Sequence, residues 1–142
     1  AIVRMLSDDP IAAKRERYAQ PVPDGYMDAF HAIDRDPNNE LIVAALDGRV
    51  MGALQITYIP NMTFEGSWRC LVEGVRIDTP YRGKGYGKML MQHAVDRARA
   101  RGCRVVQLMS NKERQAARRF YEAIGFKASH EGLKLHLDRD AG

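Results

Sequence analysis

Between residues 68 and 109 the spacing of apolar residues changes twice, and this restricts the fold more than any other feature of the chain. "WRCLVEGVRI" (68–77) has the length and content of a strand. After the loop "RGKGYGK" (82–88), Leu90, Met91, Ala94, Val95 and Ala98 recur at helical spacing, with Lys88, Gln92, Asp96 and Arg99 opposite them. Gly102 stops that helix, read over 86–101, and "RVVQLM" (104–109) reads as a buried strand. A strand, a helix and a strand in that order form a βαβ crossover, so the two strands are expected to be parallel neighbours.

The flanking segments read more simply. "IVRML" (2–6) is a short strand by content; Ser7 then serves as N-cap, with Pro10 in the first turn of a polar helix reaching Tyr18. "QPVPDG" breaks it, and a second short helix covers 26–35 before the turn signal "RDPNN". "ELIVAAL" (40–46) and "VMGALQITYI" (50–59) form a hairpin about Asp47-Gly48-Arg49, and 60–67 is a loop. Ala117, Phe120, Tyr121 and Ile124 mark a last helix capped by Gly125, and "FKASH" and "LKLHL" close the chain as two short strands. With no repeat, linker or low-complexity segment, residues 1–142 are expected to form a single α/β (α+β) domain around a mixed, mostly antiparallel sheet, with about four helices.

Charge separates the function classes. Residues 1–81 carry a net −4, residues 82–119 a net +9 and residues 120–142 a net −1. The basic segment begins at the glycine loop, which fits a nucleic-acid footprint, a solvated helix face or the landing site of a small polyanion. Interleaved stacking aromatics, which nucleic-acid surfaces use, do not accompany it, so no nucleic-acid partner is expected. No apolar run is long enough to cross a bilayer, and the first residues lack the apolar core of a secretory leader, so no membrane partner is expected. Cys70 and Cys103 are too few for a disulfide framework and lack metal-ligand spacing, as do His31, His93, His130 and His136. A reducing cytoplasm and no metal are expected.

The loop follows a strand and opens a helix. Free N–H groups and the positive end of the helix dipole converge at such a point and favour an anion. Glycines at 83, 85 and 87 let the backbone wrap that anion, and Arg82, Lys84 and Lys88 supply charge. The spacing G-x-G-x-G is not the dinucleotide fingerprint, and no Gly-Lys-Ser/Thr follows as in a Walker loop. The plainer alternative is a flexible glycine-rich turn.

From Val75, "VRIDTPYRGKGYGKMLMQHAVDRARARG" resembles the central motif of the GNAT superfamily of acyl-CoA-dependent N-acetyltransferases. Arg82, Gly85 and Gly87 fill its Gln/Arg-x-x-Gly-x-Gly/Ala pattern. "AARRFYEAIGF" (116–126) is similar to the family's second motif, an Ala-x-x-x-Tyr helix ending in Gly-Phe, and the element order matches from end to end. The resemblance implies a six- to seven-stranded sheet with a splayed parallel central pair, and acetyl-CoA as acyl donor. Its pyrophosphate would lie on Arg82, Gly83, Lys84, Gly85, Tyr86, Gly87 and Lys88. Its pantetheine arm would lie along Val75, Arg76 and Ile77 by strand-like pairing. Ala117 and Phe120 are implied as further contacts, although Phe120 also falls on the apolar stripe of its helix. Many members place an Asn three residues before that alanine, where this chain has Arg114, with Asn111 a turn earlier; either is a candidate contact.

Acetyl transfer to an amine needs a free-base amine, a stabilised oxyanion and a proton for the departing thiolate. Strict alternation puts Leu71, Glu73, Val75 and Ile77 on one face, with Glu73 the lone carboxylate among apolar neighbours. It is then either a buried base with a raised pKa, or a carboxylate in an ion pair or exposed by a local bulge. The resemblance makes Tyr121 the acid that protonates the thiolate; otherwise it is a core aromatic. Tyr58, Met62, Phe64, Glu65 and Trp68 surround the loop at 60–67 and would hold a cationic amine or form a homodimer contact. The expected activity is acetylation of a small primary amine. The alternatives are acetylation of a protein N-terminus or lysine, and a non-catalytic acyl-CoA sensor.

Overall fold

The computed structural model describes residues 1–9 and 11–138. The chain divides into two compact units, Ala1–Leu108 and Met109–Gly142.

The first unit is built on four strands in the order β1-β2-β3-β4: β1 Asn39–Leu46, β2 Arg49–Pro60, β3 Trp68–Ile77 and β4 Val105–Leu108. β1, β2 and β3 form an antiparallel meander, and β3 and β4 pair in parallel as the crossover requires. Asp47 and Gly48, both at positive φ, make the two-residue turn between β1 and β2. Helices α1 (Ile2–Ser7) and α2 (Asp24–Arg35) precede the sheet, α3 (Thr63–Gly66) is a single turn before β3, and α4 (Tyr86–Ala100) is the crossover helix.

Two networks tie these elements together. Leu54, Ile56 and Tyr58 alternate onto one face of β2 and are buried, and α4 buries Leu90, Met91, Ala94 and Ala98. The Tyr58 hydroxyl donates to Glu40 of β1, which also accepts two bonds from Arg97 of α4, and the Arg101 guanidinium stacks 4.0 Å from the Tyr58 ring centroid. Burial works against the charged form of Glu40, but the bonds from Arg97 and Tyr58 outweigh it and hold its pKa below the usual range. At the other end of β3, Arg4 of α1 donates to both oxygens of Asp78, at 3.1 and 2.8 Å. This pair holds the Asp78 pKa down. Asp78 also accepts from Thr79 N at 3.0 Å and so caps the short 3₁₀ turn Thr79–Tyr81.

Several expectations are corrected. Residues 2–6 are helical, because a short apolar run cannot distinguish a strand from one turn of buried helix, and Met5 is the residue it buries. Ser7 ends that helix by donating to Val3 O at 2.9 Å instead of opening the next. The N–H groups of Ile11 and Ala12 go to Asp9, and only a 3₁₀ turn, Ala12–Lys14, follows in place of a helix to Tyr18; Pro10 lies outside the described residues. Among the described residues β4 is an edge strand, with Val105 49% exposed, so it is not the buried strand its composition suggested. The second unit contains α5 (Gln115–Ala123), closed by Gly125 at φ +108°, but 126–138 form no strand. The described sheet therefore has four strands against the six or seven expected, and five helices in place of about four. No helix among the described residues is long and apolar enough to cross a membrane.

Candidate active site

The site grows out of a defect in β3. Against β2 the register is Gln55 with Glu73 and Ala53 with Arg76, so Gly74 and Val75 together oppose Leu54. The extra residue is a bulge, and Gly74 sits in it at φ +62°, a conformation that costs a side-chain-bearing residue roughly 1–2 kcal/mol. The bulge breaks the alternation. Cys70 and Val72 are buried before it, Glu73 and Gly74 are exposed, and Val75, Arg76 and Ile77 are half-buried. Of the two readings of Glu73, burial among apolar neighbours is overturned and exposure at a local bulge is the one observed; its carboxylate faces solvent.

The bulge coincides with the end of the parallel ladder. β4 pairs with β3 only from Arg69 to Val72, whose partner is Leu108. From Glu73 to Ile77, β3 keeps β2 on one side and no described strand on the other. Two carbonyls of this stretch are engaged by arginines of the chain itself. Val75 O accepts from Arg76 Nη1 at 2.8 Å, and Ile77 O from Arg82 Nε at 2.8 Å. Gly52, opposite Ile77, leaves room for that side chain, since an added Cβ would lie 2.8 Å from Ile77 Cδ1.

Beyond Ile77 the chain turns over the Asp78-capped 3₁₀ turn into the glycine loop. Gly83 (φ +76°) and Gly85 (φ +86°) are left-handed, and Gly85 is the N-cap of α4. Among the described residues no side chain caps the helix, and no acidic residue lies in its first turn to offset the N-terminal dipole. A Cβ added at either glycine would meet nothing within 4 Å. The glycines therefore serve the backbone turn and the open space above it, not packing within the chain. Arg82, Lys84 and Lys88, exposed, flank and interleave the glycines along the chain, while Tyr86 and Gly87 are half-buried in the first turn. The donors and charges present fit the pyrophosphate of a coenzyme A, and the open edge of β3 fits its amide-bearing arm.

The remaining candidates lie on the second unit. Asn111 accepts from Glu113 N through its side chain and from Arg114 N through its carbonyl, both at 2.9 Å, so it shapes the turn before α5. Arg114 is the helix N-cap. Ala117, Phe120 and Tyr121 are half-buried on one side of α5; Tyr121 meets the ring of Phe120 edge-on at 5.2 Å and that of Phe126 at 5.9 Å. The reading of the sequence missed Gly74 and Asp78. A glycine inside a strand-like run is the signal for the first. The second leaves only the weak trace of an Asp before Thr-Pro.

Residues 7–126 match the model of the acetyltransferase (GNAT) family, and the chain belongs to that family. It is 33% identical to a glucosamine 6-phosphate N-acetyltransferase of Trypanosoma brucei brucei over 90 residues, 63% of this chain and 59% of that protein. It is 30% identical to an aminoalkylphosphonate N-acetyltransferase of Salmonella typhimurium over 105 residues, 74% of this chain and 68% of that protein. The crystal structure of a protein named as a transcriptional regulator from Bacillus halodurans superposes with a TM-score of 0.93 at 51% identity, covering 95% of this chain and 90% of that one.

Proposed function

We propose that this chain transfers an acetyl group from acetyl-CoA to the primary amine of a small molecule, by direct attack while both substrates are bound. The observation that carries the reading is the continuity of the unpaired edge of β3 with the uncapped, glycine-lined N-terminus of α4, in a chain of this family. Acetyl-CoA, when bound, supplies an activated acetyl group and a thiolate leaving group. Val75 and Ile77 would exchange their arginine side-chain partners for the arm's amides, and the α4 N-terminus with Lys84 and Lys88 would hold the phosphates. Glu73, exposed where β3 leaves β4, takes the ammonium proton directly or through a water, so that a free amine attacks. Tyr121 donates a proton to the thiolate as it departs. For this role the two units act as one domain, which the family match, running across their division, supports.

The first two curated relatives are named for acceptors that join an amine to a phosphate or phosphonate, so an amine bearing such a group is the acceptor class we propose to test first. The chain's two cysteines, both free, suit the reducing, cytoplasmic setting we propose for it. The test is release of thiol from acetyl-CoA across a panel of aminosugar phosphates, aminoalkylphosphonates, uncharged amines and lysine peptides. Turnover with peptides alone would move the acceptor class to proteins. The naming of the Bacillus halodurans relative as a regulator favours one second reading, a protein that binds acyl-CoA without turnover. Protection by coenzyme A, with no thiol released from any amine, would select it.

A further inference from the structure

Beyond its bulge, β3 turns alternate residues to its two edges. Asp78 N donates to Met51 O at 2.7 Å and Arg76 pairs with Ala53, so these two direct their backbone toward β2. Val75 and Ile77, on either side of Arg76, direct theirs to the edge that has no described strand. Both carbonyls on that edge are covered by the chain's own cations. Val75 O accepts from Arg76 Nη1 and Ile77 O from Arg82 Nε, each at 2.8 Å.

The two cations differ in what else can claim them. Arg76 lies within β3, whereas Arg82 is exposed and opens the glycine loop, beside the left-handed Gly83 with its open surroundings. Among the described residues the Arg82 side chain makes no other hydrogen bond and no ion pair. Asp78, the carboxylate at the end of β3, has both oxygens on Arg4. Of the five N–H donors of a guanidinium, Arg82 therefore keeps four for an anion at the start of α4. A phosphate meets a guanidinium as a fork, charge against charge, while Ile77 O offers it one neutral acceptor.

Resting on the donor site proposed above, we propose that Arg82 makes this chain select a phosphate-bearing thioester over a bare acyl-pantetheine. On Ile77 O, its side chain closes the last carbonyl of the open edge. Drawn to a phosphate at the α4 N-terminus, it frees that carbonyl for an amide of the arm. The swing costs little packing, because the side chain is exposed. The phosphate and arm subsites are thus coupled through one residue, and each ligand favours the other to the same degree. A donor without phosphates has to displace Arg82 unaided.

The test is calorimetric titration of pantetheine into the full chain, with and without saturating inorganic pyrophosphate. In the wild type, pyrophosphate should tighten pantetheine by about fivefold or more. Arg82→Ala should bind pantetheine alone about as tightly as the wild type does with pyrophosphate, and pyrophosphate should add nothing. Lys84→Ala should weaken pyrophosphate but bind pantetheine alone as the wild type does; a gain equal to that of Arg82→Ala would assign the effect to net charge and overturn the proposal. Independent binding of the two fragments to the wild type overturns it, as does an Arg82→Ala variant with unchanged pantetheine affinity. Should Arg82→Ala not fold, Arg82→Gln serves, since an anion does not draw off its uncharged amide; coupling as large as in the wild type then overturns the proposal. Coenzyme A separates the two levels of failure. If it binds while pantetheine does not, even with pyrophosphate, the role of Arg82 falls and the donor site stands; if it does not bind, the donor site falls and this proposal with it.

Discussion

Val72 and Leu108 form the last rung of the parallel ladder between β3 and β4, and the next residue of β3, Glu73, is exposed. Gly74 follows at φ +62°, so the strand leaves its neighbour at the point where it bulges. The end of pairing, the bulge and the exposed carboxylate are one local event. It leaves one edge of β3 without a described partner strand from Glu73 to Ile77, just before the glycine loop.

Gly74→Ala tests that event. The new methyl has space, its nearest neighbour being Leu6 Cδ2 at 4.0 Å, so the expected cost is that of the left-handed backbone alone. Urea unfolding should show a loss of about 1–2 kcal/mol. A variant as stable as the parent would mean that the bulge relaxes without glycine.

Glu73→Gln keeps the side-chain shape and removes its ability to accept a proton. Thiol release at neutral pH should fall by roughly 10²–10⁴-fold. The gap should narrow at alkaline pH, where the amine loses its proton unaided. Equal rates at neutral pH would remove Glu73 from the chemistry.

Tyr121→Phe separates packing from proton transfer, since the ring contacts with Phe120 and Phe126 are kept. The catalytic constant should fall by an order of magnitude or more, with coenzyme A affinity unchanged and stability altered by no more than about 1 kcal/mol. The defect should lessen with an acyl donor whose thiol is more acidic. Normal turnover would assign Tyr121 to packing alone.

Stability should fall at both ends of the pH scale. Glu40 has a folded pKa below its ordinary value, so its contribution is present above that value and is lost as pH drops through the folded one. Tyr58 is shifted the other way, by burial and then by the Glu40 carboxylate, from 10.0 to about 12. Its contribution is complete below its ordinary pKa and disappears as pH climbs through the folded one. The buried Cys70 thiol, raised from 9.0 to about 11, adds a loss of the same sign. Melting temperature across pH should therefore form a plateau with two falling arms, and Tyr58→Phe should flatten the alkaline arm. An unchanged alkaline arm in that variant would contradict the assignment.

The crossover was legible because it combined two periods with punctuation: a strand-like run, glycines, a 3.6-residue stripe and Gly102. β3 and α4 fall within a residue or so of their expected bounds. The failures have physical causes. Residues 2–6 are too few for a period to show, and tertiary burial of Met5 decided for helix. The Val-Val of β4 reads as interior, yet burial depends on what lies beyond an edge, which a local pattern does not encode. Val75 and Ile77 were put on one face with Leu71 and Glu73 because strict alternation was carried through Gly74, the residue that ends it, and the alternative of a bulge that exposes Glu73 is the one observed. The closing leucine run has the alternation of a strand, yet 126–138 form none, because a strand needs a pairing partner and that is not a local property of the sequence.

The most direct test of the proposed function is calorimetric titration of coenzyme A into the parent and into Gly85→Val. Gly85 has φ +86° and open space above it, so a branched side chain would strain the turn and fill the volume assigned to the pyrophosphate. The parent should bind one coenzyme A per chain, and the variant, with its circular dichroism unchanged, should bind at least an order of magnitude more weakly. Equal affinities in the two folded proteins would contradict the site at the start of α4, and with it the transfer chemistry built on that site.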